Sequence, residues 1–119
     1  MTTNIGTSTY LSPEQEDNVS YNEKVDIFAI GLILCEMYCK ILTLHEKIDI
    51  LTKLKVNNIL PEGLEREYPL ESEILKLLVQ RDPTLRPSAD ELLNHPFTLR
   101  YEKLIESNVV GLRLREESP

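Results

Sequence analysis

The sequence predicts a mainly α protein in which about five helices gather around one central apolar helix. Three observations carry that expectation. The run from Lys24 to Tyr38 has helical length and apolar side chains in almost every direction, helix-start signals at Ser12-Pro13 and at Ser88 announce further helices, and no two strand-like runs are joined by a tight turn. The 119 residues allow one small domain, and a hydrophobic content of 41% can supply its core.

In chain order, Met1 to Tyr10 is rich in Thr, Ser, Asn and Gly and reads as a loop. At Ser12-Pro13-Glu14-Gln15 the Ser hydroxyl can accept from the third helical amide, Pro presets the first helical position and Gln15 can reach back to the cap, so a short helix starts there. Ser20, with Glu23 three residues on, offers a second capping box leading into Lys24 to Tyr38. Val25, Ile27, Phe28, Ala29, Ile30, Leu32, Ile33, Leu34 and Met37 leave that helix no polar side, so it is expected to be surrounded by protein. Gly31 in its middle costs roughly 1 kcal/mol against Ala, which close packing by a neighbour would justify. Residues 46–55 set Ile48, Leu51 and Leu54 on one side and Lys47, Asp49, Lys53 and Lys55 elsewhere, an amphipathic surface helix. Residues 57–69, with two Pro, one Gly and mixed charge, read as a loop. A helix follows over residues 71–80, ended by Arg81-Asp82-Pro83; Ser88 and Glu91 cap the next, which His95-Pro96 stops. A further helix is expected around Tyr101 to Ile105.

Composition excludes several functions. Thirteen Lys and Arg against 20 Asp and Glu give a net charge of −7, which argues against a nucleic-acid partner. Two Cys and two His are too few for a structural zinc site at these spacings. Cys35 and Cys39 stand four apart on the apolar helix and could touch one ligand, though free Cys is commonly just a small buried hydrophobe. His45 and His95 have no Ser or Cys beside them in a nucleophile-base signature and read as surface or capping residues. The four glycines are isolated, so no loop brings successive amides around a phosphate. The longest apolar stretch, Ile27 to Cys35, falls well short of the ~20 residues that span a bilayer, and residues 1–10 lack the basic start and apolar block of a signal peptide. The expectation is a cytoplasmic protein with reduced thiols and no membrane or nucleic-acid partner.

Four segments in a fixed order carry a resemblance. Gly6-Thr7-Ser8-Thr9-Tyr10-Leu11-Ser12-Pro13-Glu14, Asp26 in the apolar helix, Arg81-Asp82-Pro83-Thr84-Leu85-Arg86-Pro87 and Asn94-His95-Pro96-Phe97 are together similar to the C-terminal lobe of a eukaryotic protein kinase. The resemblance implies a partial kinase C-lobe: residues 1–12 as the end of the activation segment, residues 13–97 as the helical subdomain, residues 98–119 as a tail. It also implies roles. Glu14 and Arg86 pair as a structural clamp, Thr7 and Tyr10 belong to the loop beside the substrate, and Asp26 anchors the catalytic loop. Read without the resemblance, Asp26 is either a functional buried carboxylate or a dipole partner in the first helical turn, and Thr7 is a turn hydroxyl.

Tyr21-Asn22-Glu23-Lys24-Val25-Asp26-Ile27-Phe28, Gly31-Leu32-Ile33-Leu34, Ser12-Pro13-Glu14-Gln15 and Glu46-Lys47 through Leu51-Thr52 to Tyr68-Pro69 look like the kinases of the alpha subunit of eukaryotic translation initiation factor 2. That closer likeness implies a substrate-docking helix carrying Glu46, Lys47, Lys53 and Lys55, and a phosphosite at Thr2. It also implies the factor's alpha subunit as protein substrate. A Gly-rich loop, a Lys-Glu pair, a His-Arg-Asp loop and an Asp-Phe-Gly turn are the parts a kinase needs for ATP and Mg, and none of these motifs occurs in the 119 residues. Asp26-Ile27-Phe28 is no substitute, since it follows the Ser-Pro-Glu triplet, lies in a helix and lacks the Gly. The chain by itself is therefore expected to bind neither cofactor and to be inactive. Catalysis would belong to a whole that includes the missing kinase half. The alternative is a non-catalytic module that docks substrate or a kinase partner. In either case the isolated chain is expected to expose an apolar patch and to aggregate or remain molten.

Overall fold

The computed structural model describes residues 9–100, 102, 103, 106 and 107. The chain divides into two compact units, Met1–Ser88 and Ala89–Pro119. In the first, α1 (Pro13–Glu16), α2 (Lys24–Tyr38), α3 (Leu44–Asn57), α4 (Leu64–Glu67) and α5 (Pro69–Leu78) are followed by a 3-10 turn at Pro83–Leu85. The second holds α6 (Ala89–Leu93), after which residues 96–100, 102, 103, 106 and 107 are helical. Tyr101, Leu104 and Ile105, where the tail helix was expected, lie outside the described residues. Among the described residues there is no strand, and no helix is long and apolar enough to cross a membrane.

Local chemistry sets most boundaries. At α1 the Ser12 hydroxyl accepts from the Gln15 amide at 3.4 Å while the Gln15 carboxamide oxygen accepts from the Ser12 amide at 3.0 Å, a complete capping box with Pro13 at the first position. The second expected box does not form. Helix α2 begins at Lys24 with Glu23 as an uncapped N-cap, and Asn22 Oδ1 accepts from the Lys24 amide at 2.9 Å, so a short Asx turn takes the place assigned to Ser20. Thr43 caps α3 by accepting from the Glu46 amide at 3.1 Å, which starts the helix two residues before Glu46. At its other end Asn58 takes a left-handed φ of 54° and its amide returns to the Leu54 carbonyl. The stretch read as a loop over residues 57–69 contains α4, which a left-handed Gly63 (φ 85°) turns into place. One buried side chain in four residues, Leu64, gives too short a pattern for periodicity to reveal.

Phe28, Leu32 and Cys35 of α2 meet Leu51 and Leu54 of α3, Leu75 of α5, and Leu60, Leu64 and Val79 in one core. Helices α2 and α5 approach closely at Gly31, where an added Cβ would stand 2.7 Å from Val79 Cγ1 and 2.8 Å from Leu78 Cβ. The glycine in mid-helix is a packing requirement.

The apolar patch expected on the isolated chain lies on α2. Helix α2 is not enclosed, for Ile30, Ile33 and Met37 are 45%, 46% and 74% exposed, and Asp26 is exposed with them. Positions 26, 30, 33 and 37 fall on one helical stripe. The elements of the first unit cover the side carrying Ile27, Phe28, Leu32 and Cys35 and leave that stripe bare.

Candidate functional site

A dense polar centre among the described residues of the first unit is built on Arg86, whose side chain is fully buried. It leaves the 3-10 turn that Pro83 starts and that Asp82 caps by accepting from the Thr84 amide at 2.9 Å. The guanidinium has five N–H donors and all five are used. Nη1 donates to Glu14 Oε2 at 2.6 Å and to the Lys24 carbonyl at 3.0 Å; Nη2 donates to Glu14 Oε1 at 2.7 Å and to the Arg81 carbonyl at 3.2 Å; Nε donates to the Gln80 carbonyl at 2.7 Å. The guanidinium carbon also lies 4.8 Å from the centre of the Phe28 ring. Burial pushes the Glu14 carboxyl upward in pKa, but donation from Arg86 and from the backbone outweighs it and holds the group below its usual 4.5. Lys24 closes the arrangement, its ammonium donating to the Arg86 carbonyl at 2.6 Å and to the Pro83 carbonyl at 3.4 Å.

A second cluster ties the loop before α1 to α2 and α3. Tyr10 donates its hydroxyl to Glu36 Oε1 at 2.6 Å, and Lys47 reaches the same carboxylate oxygen at 3.0 Å while its ammonium lies 5.3 Å from the Tyr10 ring centre. Partial burial, then the Glu36 carboxylate, raises the Tyr10 pKa, so its hydroxyl remains a donor. Hydrogen bonding to Tyr10 and then to Glu36 raises that of Lys47.

The remaining expected site residues fall in different places. Thr2 and Thr7 lie outside the described residues. Asp26 points out on the bare stripe of α2. Of the four residues expected to share a docking face on α3, Lys53 is exposed and pairs with Asp49 at 3.2 Å, Glu46 is half-buried, and Lys47 is committed to Glu36. Lys55 leaves that face altogether. It is 8% exposed, and its ammonium pairs with Glu16 at 3.2 Å and donates to the Thr9 carbonyl at 3.5 Å. The fold turns position 55 inward beside Leu51 and Leu54, and Glu16 at the end of α1 supplies the counter-charge. Glu36, Lys24 and Phe28 were missed from sequence. Glu36 alone offered a signal, being an acidic residue inside the apolar run.

Both centres fasten the segment from Thr9 to Glu14 onto the helices, one through Glu14 and the other through Tyr10. Neither contains a nucleophile with a base beside it. Among the described residues no three His, Cys, Asp or Glu converge to hold a metal ion.

A loop ending in Ser-Pro-Glu and clamped by a buried Arg to a helical base is the architecture of the C-terminal lobe of a protein kinase, and the family described as protein kinase domain matches residues 1–98. The chain belongs to that family. Its relatives include kinases of eukaryotic translation initiation factor 2 alpha. It is 35% identical to the eIF-2-alpha kinase GCN2 of Arabidopsis thaliana over 113 residues, which is 94% of this chain and 9% of that protein. To eukaryotic translation initiation factor 2-alpha kinase 3 of Bos taurus it is 36% identical over 114 residues, 96% of this chain and 10% of the relative. The corresponding kinase 1 of Mus musculus is 36% identical over 92 residues, 77% of this chain and 15% of the relative. The chain thus spans a small part of the length of these curated relatives.

Proposed function

We propose that this chain is the helical part of a serine/threonine kinase domain, and that the completed domain phosphorylates the alpha subunit of translation initiation factor 2. The observation that carries the reading is the bare stripe of α2. A helix whose opposite side forms the core presents Asp26, Ile30, Ile33 and Met37 to solvent, and three apolar side chains in register with one carboxylate suit a further packed segment. That segment would carry the phosphate and magnesium ligands that these residues do not provide, and Asp26 would accept its backbone amides. Residues 1–97 would then be kinase domain and residues 98–119 a tail.

Within this reading the chain's own residues position and hold. Glu14 and Arg86 fix the end of the activation segment, and Tyr10 with Glu36 and Lys47 fixes the loop beside the substrate. Thr7 would border the substrate hydroxyl and Thr2 would accept an activating phosphate. Glu46 and Lys53 on α3 would meet the protein substrate, with Lys47 beside them held by Glu36. Phosphoryl transfer depends on positioning and charge neutralisation, and this half contributes the positioning.

The test is phosphate transfer from labelled ATP to the factor's alpha subunit. The expected result is no transfer by this chain alone, and transfer after mixing with a polypeptide that carries the Gly-rich loop, His-Arg-Asp and Asp-Phe-Gly segments of one of the relatives. Ile33→Asp should abolish the association. Transfer by the chain alone, or an association indifferent to Ile33→Asp, overturns the reading.

A further inference from the structure

Cys35 and Cys39 are the two cysteines of the chain, and their sulfurs lie 3.8 Å apart. Their surroundings differ. Cys35 is fully buried in the core, whereas Cys39 is half-buried and lines a cavity of about 260 Å³ together with Tyr38, Glu46, Glu62 and Glu67. Cys39 also sits one residue beyond α2 in extended backbone (φ −104°, ψ 143°), held by bonds from its amide to the carbonyls of Cys35 at 3.1 Å and Glu36 at 3.3 Å. A reachable thiol on a pivot beside a sheltered thiol is the arrangement of an attacking cysteine and its resolving partner.

We propose that the two residues form a reversible oxidation site at which a hydroperoxide converts the thiols to an intramolecular disulfide. The Cys39 thiolate attacks one peroxide oxygen, the O–O bond breaks, hydroxide leaves and takes up a proton, and Cys39 becomes a sulfenic acid. Cys35 then attacks that sulfur, the S–O bond breaks, and the Cys35 proton leaves with hydroxide as water. Two thiols and one hydrogen peroxide thus yield one disulfide and two waters, the peroxide accepting both electrons. The thiol contact supports the order of events: the hydrogen bond with Cys35 lowers the Cys39 pKa, while that bond and burial push Cys35 up. Bond formation needs the sulfurs at about 2.05 Å, and a turn of the Cys39 side chain about its Cα–Cβ bond, with the backbone amide still held, would supply the approach. A small neutral oxidant suits the cavity better than an anion such as glutathione disulfide, because Glu46, Glu62 and Glu67 outnumber the one cation of its lining, Lys40.

The experiment treats the full chain with hydrogen peroxide and follows free thiols, dimedone capture of sulfenic acid and non-reducing peptide maps. Both thiols should disappear together into one dithiothreitol-reversible intramolecular link, faster than with glutathione disulfide at equal concentration. Cys35→Ala should allow dimedone to capture Cys39, and Cys39→Ser should slow oxidation of Cys35 by about tenfold or more. Unsubstituted chain in urea, which needs no variant to fold, should give less disulfide per sulfenic acid formed. Unchanged Cys35 oxidation in Cys39→Ser, sulfinic acid or intermolecular links as the main native product, or an equal yield in urea overturns the site. Faster reaction with glutathione disulfide overturns the choice of oxidant.

Discussion

Glu14→Gln isolates the charge of the clamp, because the amide keeps the volume of the carboxylate and one acceptor oxygen. It leaves the Arg86 guanidinium fully buried without its counter-ion and turns an NH2 group toward N–H donors now 2.6 and 2.7 Å from carboxylate oxygens. Two unit charges about 4 Å apart attract by about 4 kcal/mol at an effective dielectric of about 20. Breaking buried pairs by removing one partner costs about 3–5 kcal/mol. The expected loss is therefore about 3–4 kcal/mol, a large share of the roughly 5–15 kcal/mol that holds a domain together. The assay is urea unfolding followed by far-ultraviolet circular dichroism at low protein concentration, in an Ile33→Lys background that charges the bare stripe. Lys53→Ala is the control, since its pair with Asp49 is more than half exposed on both sides and is worth about 0.5 kcal/mol or less. A loss below about 1 kcal/mol for Glu14→Gln would refute the assignment of the clamp as a desolvated pair.

A second variant sharpens the same reasoning. Replacing both members of a buried ion pair by apolar residues is often neutral or stabilising. Here Glu14→Leu combined with Arg86→Met should not recover stability, because Arg86 also donates to the carbonyls of Gln80, Arg81 and Lys24. Leaving such groups unpaired costs about 1–3 kcal/mol each. Recovery in the double variant would show that the carbonyl bonds are incidental.

Gly31→Ala should destabilise by about 1–2 kcal/mol, because the clash with Val79 and Leu78 exceeds the roughly 1 kcal/mol gained in helix propensity; a raised Tm would contradict it. The Glu14 carboxyl titrates below its usual 4.5 in the folded chain, so its stabilisation is complete above that value and is lost as the pH falls through the folded pKa. The urea midpoint should accordingly drop as the pH is lowered below about 4.5, and Glu14→Gln should lose that component; parallel pH profiles for the two proteins would count against it. The chain should self-associate and bind a hydrophobic dye through Ile30, Ile33 and Met37, and Ile33→Lys should reduce both, as read by analytical ultracentrifugation and dye fluorescence.

Local signals were legible where a few neighbouring residues settle the matter. The box at Ser12 and Gln15 forms because its partners are three residues apart and Pro13 removes the competing conformations. Ser20 and Glu23 show the same spacing yet form no cap, because the helix starts one residue after Glu23 and the Asn22 side chain reaches the Lys24 amide first. The Glu14–Arg86 contact spans 72 positions and entered through likeness of motifs, since nothing in charge or periodicity joins residues so far apart. The other three Arg86 donors serve backbone carbonyls, and backbone carbonyls look alike in every sequence. Lys55 was misplaced for a related reason. Its charge argued for solvent, but Glu16 arrives from another helix and makes burial of the ammonium tolerable.

The exposed side of α2 follows from a different limit. Periodicity reports the surroundings for which a helix is suited, and apolar residues all round α2 specify neighbours on every side. The 15 residues Lys24–Tyr38 find those neighbours along the side carrying Ile27, Phe28, Gly31, Leu32 and Cys35, where α3 and α5 pack. Were the bare stripe ordinary surface, polar residues at 30, 33 and 37 would serve the first unit equally well and would lessen its tendency to associate. Asp26 at the head of the stripe would give the proposed contact a polarity as well, since a carboxylate there accepts donors and rejects a second carboxylate. On the proposed reading, a packing partner carrying hydrogen-bond donors at the Asp26 end would cover the one face of α2 that the first unit leaves bare.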